Sequence, residues 1–206
     1  RFKSPELNKD SDEYNYIKNY VRKVENVLYG SSFNDEKNGY RTLIDIDSFI
    51  DWYLINEISK NNDAAFYSSC YMTLVPGEKL KMGPIWDFDI SFGNTRQNDN
   101  ENPRGFWIKN SKWFEMMFKD EYFIKKVKER FLYFYENKDR ILSTSNELSK
   151  KINNSRLENE KIWKTLGKYV YPNYVYKFET FKEEEDYLIR WIEIRFEWLK
   201  SEIEKL

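Results

Sequence analysis

Gly83-Pro84-Ile85-Trp86-Asp87-Phe88-Asp89-Ile90-Ser91-Phe92-Gly93-Asn94 sets two carboxylates one residue apart inside an aromatic run. Burying Trp86, Phe88 and Phe92 is worth roughly 1.5–3 kcal/mol each. The two charges resist that burial and demand a cation or a dense set of donors. If the stretch is extended, alternate side chains share a face. Asp87 and Asp89 then point one way, to grip a hard cation. Trp86 and Phe88 point the other way, as anchors. The plainer reading is a loop in which one Asp caps a helix and the other pairs with an arginine. An EF-hand is excluded, because counting from Asp87 puts Phe92 where the loop requires its turn-forming Gly. Gly93-Asn94 ends the stretch with a turn signal.

Around this stretch lies a chain of 206 residues, the size of one domain, with 16 Tyr, 15 Phe and 7 Trp to build a core. Only 7 Gly and 5 Pro argue against a sandwich or barrel. The 34 basic and 35 acidic residues are well mixed and leave no excess to condense on nucleic acid. No apolar run approaches a membrane span. Arg1-Phe2-Lys3-Ser4-Pro5 is not a signal peptide and names no compartment. The absence of His removes Ser-His-Asp and Cys-His mechanisms and any histidine-ligated metal. The single Cys70 excludes an intrachain disulfide and a multi-cysteine zinc site. Acid–base chemistry falls to Asp, Glu, Lys or Tyr.

Taken in order, Asp10 to Leu28 reads as an amphipathic helix, with Asp10 and Glu13 as a capping box and Tyr14, Ile17, Val21, Val24 and Leu28 on one face. Leu43 to Lys60 holds a helix capped by Asp45 or Asp47 and apolar nearly all round, as expected of a central buried element. Glu57 shares its stripe with Ile50 and Tyr53, where a charge is expected to be paired. Asn61-Asn62-Asp63 is expected to close that helix. Phe66 to Val75 and Leu80 to Ile85 read as a hairpin across Pro76-Gly77 that delivers the chain into Asp87. The hairpin brings Asp63, at its entry, near Asp87, at its exit. Thr95 to Asn110 is a long loop of the kind used as a lid or binding segment.

The remainder is expected to be helical. One short helix spans 111–118 and a second is capped by Asp120. A third opens at Ser143 or Thr144, carries Leu148, Ile152, Leu157 and Ile162, and ends near Gly167. An aromatic connector, Tyr169 to Tyr176, leads to a closing helix with Thr180 and Glu183 as its capping box. Arg195 sits mid-face on that helix among Leu188, Trp191, Ile192, Trp198 and Leu199. There it needs a carboxylate, with Glu57 or the 87–89 segment as first choices. The fold class is therefore α+β and mostly helical, one domain over residues 1–206.

Asp63, the hairpin, the Gly83–Asp89 run, Phe92-Gly93-Asn94 and the closing Trp191-Ile192-x-x-Arg195-x-x-Trp198-Leu199 together resemble the spore-coat CotH family of atypical protein kinases. The resemblance runs over about residues 40–205 and is densest from 47 to 94. It implies a kinase-like C-terminal lobe that transfers the γ-phosphoryl group of ATP to Ser or Thr of a protein substrate, with Mg²⁺ or Mn²⁺ as cofactor. Asp63 then resembles the catalytic Asp. Asp87 resembles the metal-binding Asp, and Asp89 a second metal or nucleotide contact. Many members carry a metal-ligating Asn shortly after the first Asp. Here Tyr67-Ser68-Ser69-Cys70 stands in that region, so Ser68 or Ser69 would serve, Ser69 as a nucleotide contact.

No Gly-rich phosphate loop occurs among the 7 glycines, and the first forty or so residues read as helix and loop, so the family's N-terminal nucleotide-gripping part has no counterpart. The fragment alone is therefore expected to be inactive. Two further readings stand beside this one. The first is a non-catalytic surface or coat-assembly module that kept the fold. The second is a calcium-stabilised domain using Asp87, Asp89 and the Asn94–Asn102 loop. The resemblance implies an extracellular, cell-surface or spore-coat location; the residues themselves imply none.

Overall fold

The chain is built around α2, Ile46–Ser59, in a computed structural model that describes residues 4–66, 68–172 and 175–206. Tyr67, inside the expected first strand, and Asn173-Tyr174, inside the expected aromatic connector, lie outside the described residues, as do residues 1–3. Asp45 caps α2 by accepting the Ser48 N–H, as its position before the apolar run predicts. Phe49, Ile50, Trp52, Tyr53 and Leu54 are all buried, so solvent reaches α2 mainly along the narrow stripe of Asp47, Asp51 and Ile55. The helix ends one residue before the expected Asn cap. Lys60 itself takes the left-handed conformation, with φ 47° and ψ 48°.

Around α2 pack α4 (Glu121–Glu136), α7 (Phe181–Glu204) and a small sheet. Buried Asp120 caps α4 through the Tyr122 N–H and also accepts the Tyr40 hydroxyl at 2.9 Å. Thr180 and Glu183 form the expected capping box on α7. α1, Asp12–Leu28, is capped by Ser11 through the Tyr14 N–H rather than by an Asp10–Glu13 box. α3, Lys112–Met117, brings Trp113, Phe114 and Met117 into the same core.

The hairpin is present but shorter than its apolar runs suggest. β1, Met72–Thr73, pairs antiparallel with β2, Lys81–Met82, in the register Met72 to Met82. A further bond, Gly83 N–H to Tyr71 O, extends the pairing toward the Asp-x-Asp segment. An isolated bridge, Ile44 to Leu80, ties the hairpin to the start of α2.

Beyond α4 the chain departs from expectation. α5, Lys138–Lys151, and α6, Asn153–Trp163, replace the single third helix, with the break at Ile152. Neither buries a residue completely, and Leu148, Ile152, Leu157 and Ile162 are exposed. Helical spacing marks a face, but here these four side chains stay largely in solvent, and α5 reaches the core through Ile141 and Leu142 instead. Among the described residues no helix is long and apolar enough to cross a membrane.

Candidate functional site

The chain leaves α2 through Lys60 and immediately makes Asn61, Asn62 and Asp63. Asn61 and Asn62 are buried, while Asp63 reaches partly into solvent. Their backbone is fixed by the Trp107 indole, which donates to Asn61 O at 3.0 Å and Asn62 O at 3.1 Å. The Asn61 side chain then works in two directions. Its amide NH₂ donates to the Asp87 carbonyl at 3.1 Å, and its oxygen accepts the Asp63 N–H at 3.3 Å. One buried side chain thus joins the two ends of the hairpin. Asn62 donates to Asp63 Oδ1 at 3.3 Å and accepts from Asn98 and Asn100, so the Asp63 carboxylate rests on an amide network.

The Asp-x-Asp segment is not a strand. Asp87 has φ 63°, in the left-handed region, which breaks the alternation that would put Asp87 and Asp89 on one extended face. Nor are the aromatics anchors: Trp86 is 57 % exposed, and Phe88 and Phe92 are half-buried. The segment is held by its backbone instead. Phe92 N–H donates to Ser59 O at 2.7 Å, and Asn94 donates to Asp89 O at 2.7 Å. α7 closes over Gly93, whose carbonyl accepts the Tyr187 hydroxyl. A Cβ at Gly93 would lie 2.5 Å from the Trp191 ring, and φ is +79°, so the position requires glycine on two counts.

The left-handed turn nevertheless brings the two carboxylates together. Partial desolvation, then the charge and hydrogen-bonding of Asp89, then the charge of Asp63 push the Asp87 carboxyl above the ordinary range. The charges of Asp63 and Asp89 thus both act on Asp87 across an acidic edge on which Asp87 and Asp89 face solvent. They do not close into a cage. Among the described residues no group of three or more acidic or cysteine side chains is arranged to hold a metal ion by itself. Ser69 adopts φ 55° on the loop after Asp63, half-buried. Among the described residues no hydrogen bond draws Ser69 to Asp87 or Asp89. Beside Asp89 opens a cavity of about 330 Å³ lined by Phe88, Phe92, Tyr176, Phe178 and Tyr187.

Three buried charges brace the site from behind. Arg195, fully buried, donates to Glu57 Oε1 at 2.7 Å and to the carbonyls of Glu57, Pro103 and Gly105. Glu57 in turn accepts the N–H groups of Trp107 and Lys109. Lys60 donates to the carbonyls of Asp99, Asn102 and Arg104, and burial pulls its pKa down to about 8. The expected Glu57–Arg195 pair is thus present, and with Lys60 it clamps residues 97–109 of the Thr95 to Asn110 loop that the sequence suggests as a lid or binding segment. Asn61, Lys60 and Trp107 were not legible as site residues. The cluster of Asn around 61–62 and 94–102 was the one available signal.

A family model described as CotH kinase protein matches residues 2–199. No curated protein and no solved structure matches the chain. The match takes in α1 and the acidic edge alike, and so extends N-terminal of the region in which the sequence motifs are dense. The chain belongs to the CotH kinase family.

Proposed function

We propose that this chain carries the acidic edge of a phosphotransferase that moves the γ-phosphoryl group of ATP to a Ser or Thr hydroxyl of a protein substrate. The observation that carries this reading is the Asn61 side chain, which bonds both the Asp63 N–H and the Asp87 carbonyl and so ties Asp63 to the Asp-x-Asp segment. The donor set suits Mg²⁺ or Mn²⁺. Two hard, solvent-facing carboxylates that repel each other are matched to an ion that takes one or two carboxylates and completes its shell with water and phosphate. Asp87 and Asp89 would hold it, and when bound the ion would neutralise charge on the phosphate oxygens.

The chain's own residues supply the rest. Asp63 accepts the hydrogen bond of the substrate hydroxyl and takes its proton as the hydroxyl oxygen bonds to the γ-phosphorus. The bond from that phosphorus to the bridging oxygen breaks, and ADP leaves. Asn61 keeps Asp63 and the Asp87 backbone in register through its two hydrogen bonds. Positioning of this kind is the main work of a phosphotransferase protein. Ser69 and Asp89 are the candidate nucleotide contacts, and the cavity beside Asp89 is room for a ligand group.

The test has two arms. Mn²⁺ titration of the wild type and Asp87→Ala should show binding only in the former. The affinity should weaken on mild acidification, because a carboxyl with a raised pKa keeps its proton to higher pH and the proton competes with the cation. In the full-length protein, transfer from radiolabelled ATP should disappear in Asp63→Asn while Mn²⁺ binding persists. Equal Mn²⁺ binding by wild type and Asp87→Ala would overturn the metal assignment. Binding without any transfer by the full-length protein would favour the non-catalytic surface module, in keeping with an open acidic edge.

A further inference from the structure

The cavity beside Asp89 has a chemistry that metal binding and phosphoryl transfer leave unused. Along one side Tyr176, Phe178 and Tyr187 are in mutual contact, with ring centroids 5.4–5.6 Å apart. Two carboxylates, Asp89 and Glu184, line the same space. Among the described residues no lysine or arginine does. Arg96, Lys177 and Lys182, the cations nearest Asn94, Tyr176 and Glu184 in sequence, are engaged elsewhere. Arg96 donates to the Val175 carbonyl at 2.7 Å and so pins the connector to the 95–96 turn. Lys177 lies over the Tyr169 ring, and Lys182 pairs with Glu185 and Asp186.

Glu184 stands in the first turn of α7 and makes no ion pair among the described residues. Partial desolvation, then the charge of Glu160, push its carboxyl above the ordinary range. Burial, then Tyr176 and Glu101, push the Tyr187 hydroxyl up as well. That hydroxyl is spent on the Gly93 carbonyl, which holds the ring as a fixed wall. An incoming cation would offset these neighbours, and an anion would add to them. Aromatic rings attract a cation through their quadrupole, and a carboxylate in the same space adds a charge-assisted hydrogen bond. A hard metal ion gains little here, since the rings offer it no oxygen ligands. A neutral purine would stack but would leave Glu184 unpaired. At about 330 Å³ the cavity lies at the small end of ligand pockets, with room for a group the size of one side chain.

We infer that this cavity binds an organic cation, an alkylammonium or guanidinium group, with Glu184 as its counter-charge and the Tyr176, Phe178 and Tyr187 rings around its alkyl stem. The cation comes either from a lysine or arginine of the protein substrate or from a free polyamine. Only the first source rests on the phosphotransferase reading. Binding is read without ATP or metal, so either idea can fail alone. The probes are a serine peptide with one lysine, the same peptide with norleucine in its place, and spermidine, each titrated calorimetrically into the intact chain at low salt. The lysine peptide should bind about tenfold or more tighter than the norleucine peptide. Glu184→Gln should remove about tenfold of that affinity and Tyr176→Leu about threefold, with the norleucine peptide unaffected by Glu184→Gln. Both positions are exposed, so the melting temperature should stay within a degree or two and serve as the folding control. Spermidine binding that falls in Glu184→Gln, with no peptide binding, would support the site and assign it to a free amine. Equal binding of the norleucine peptide, no binding of either cation, unchanged affinity in Glu184→Gln, or adenosine held more tightly than either cation would overturn the inference.

Discussion

Asn61 has the highest ratio of consequence to size among the site residues. It is fully buried, and its short amide satisfies the Asp63 N–H and the Asp87 carbonyl together. Alanine there leaves both groups without that partner. A fully buried polar group so orphaned costs about 1–3 kcal/mol, and these two, at part-buried bonds, cost less. We therefore expect Asn61→Ala to lower stability moderately and to weaken Mn²⁺ binding although no carboxylate is touched. Calorimetric titration at a temperature where the variant is fully folded checks this; unchanged affinity would reduce Asn61 to a structural residue. Lys60 is the companion case. Its ammonium is buried against three backbone carbonyls of another segment, so its left-handed cap geometry aims a side chain as well as ending a helix.

At the level of elements, Arg195 of α7 ties α2 to the 97–109 loop by bonding Glu57 in the first and Pro103 and Gly105 in the second. The guanidinium makes five hydrogen bonds in a planar fork, which an ammonium cannot reproduce. Removing one partner of a buried pair typically costs about 3–5 kcal/mol. Arg195→Ala should lose that much in urea unfolding, and Arg195→Lys should recover only a small part. A loss below about 1 kcal/mol for alanine would show that the loop holds without the clamp. The same elements explain why the sequence suggests a mobile lid where the structure has a braced loop. A polar, Asn-rich segment looks free until the distant Arg195, Glu57 and Lys60 are seen to saturate its backbone.

For the molecule as a whole, one buried cluster runs from Val24 and Leu28 of α1 through α2 and α3 to Phe196 and Ile203 of α7. A contiguous core of this kind should unfold in a single cooperative step. Far-UV circular dichroism and tryptophan fluorescence should therefore give coincident denaturation curves. An early, separate loss of helical signal would assign α5 and α6, which bury no residue completely, to a less stable unit.

What the sequence by itself determined are the features whose cause lies within a few residues. Asp45 and Asp120 cap because an acceptor before an apolar run meets free N–H groups, and Thr180 with Glu183 does so reciprocally. Glu57 and Arg195 were legible as partners because each charge lies on an apolar helical face, where only an opposite charge is tolerable. The motif order pointed to the family for the same reason: it needs no coordinates. Only the tertiary structure decided the left-handed φ of Asp87, the exposure of Trp86 and the double bond of Asn61. These depend on how the hairpin, α7 and a distant loop close on one another. An apolar pattern all round was enough to mark α2 as central, but for a one-sided helix a local pattern sets only which face is apolar, not whether another element arrives to cover it, and so the exposure of α6 was left to the tertiary structure.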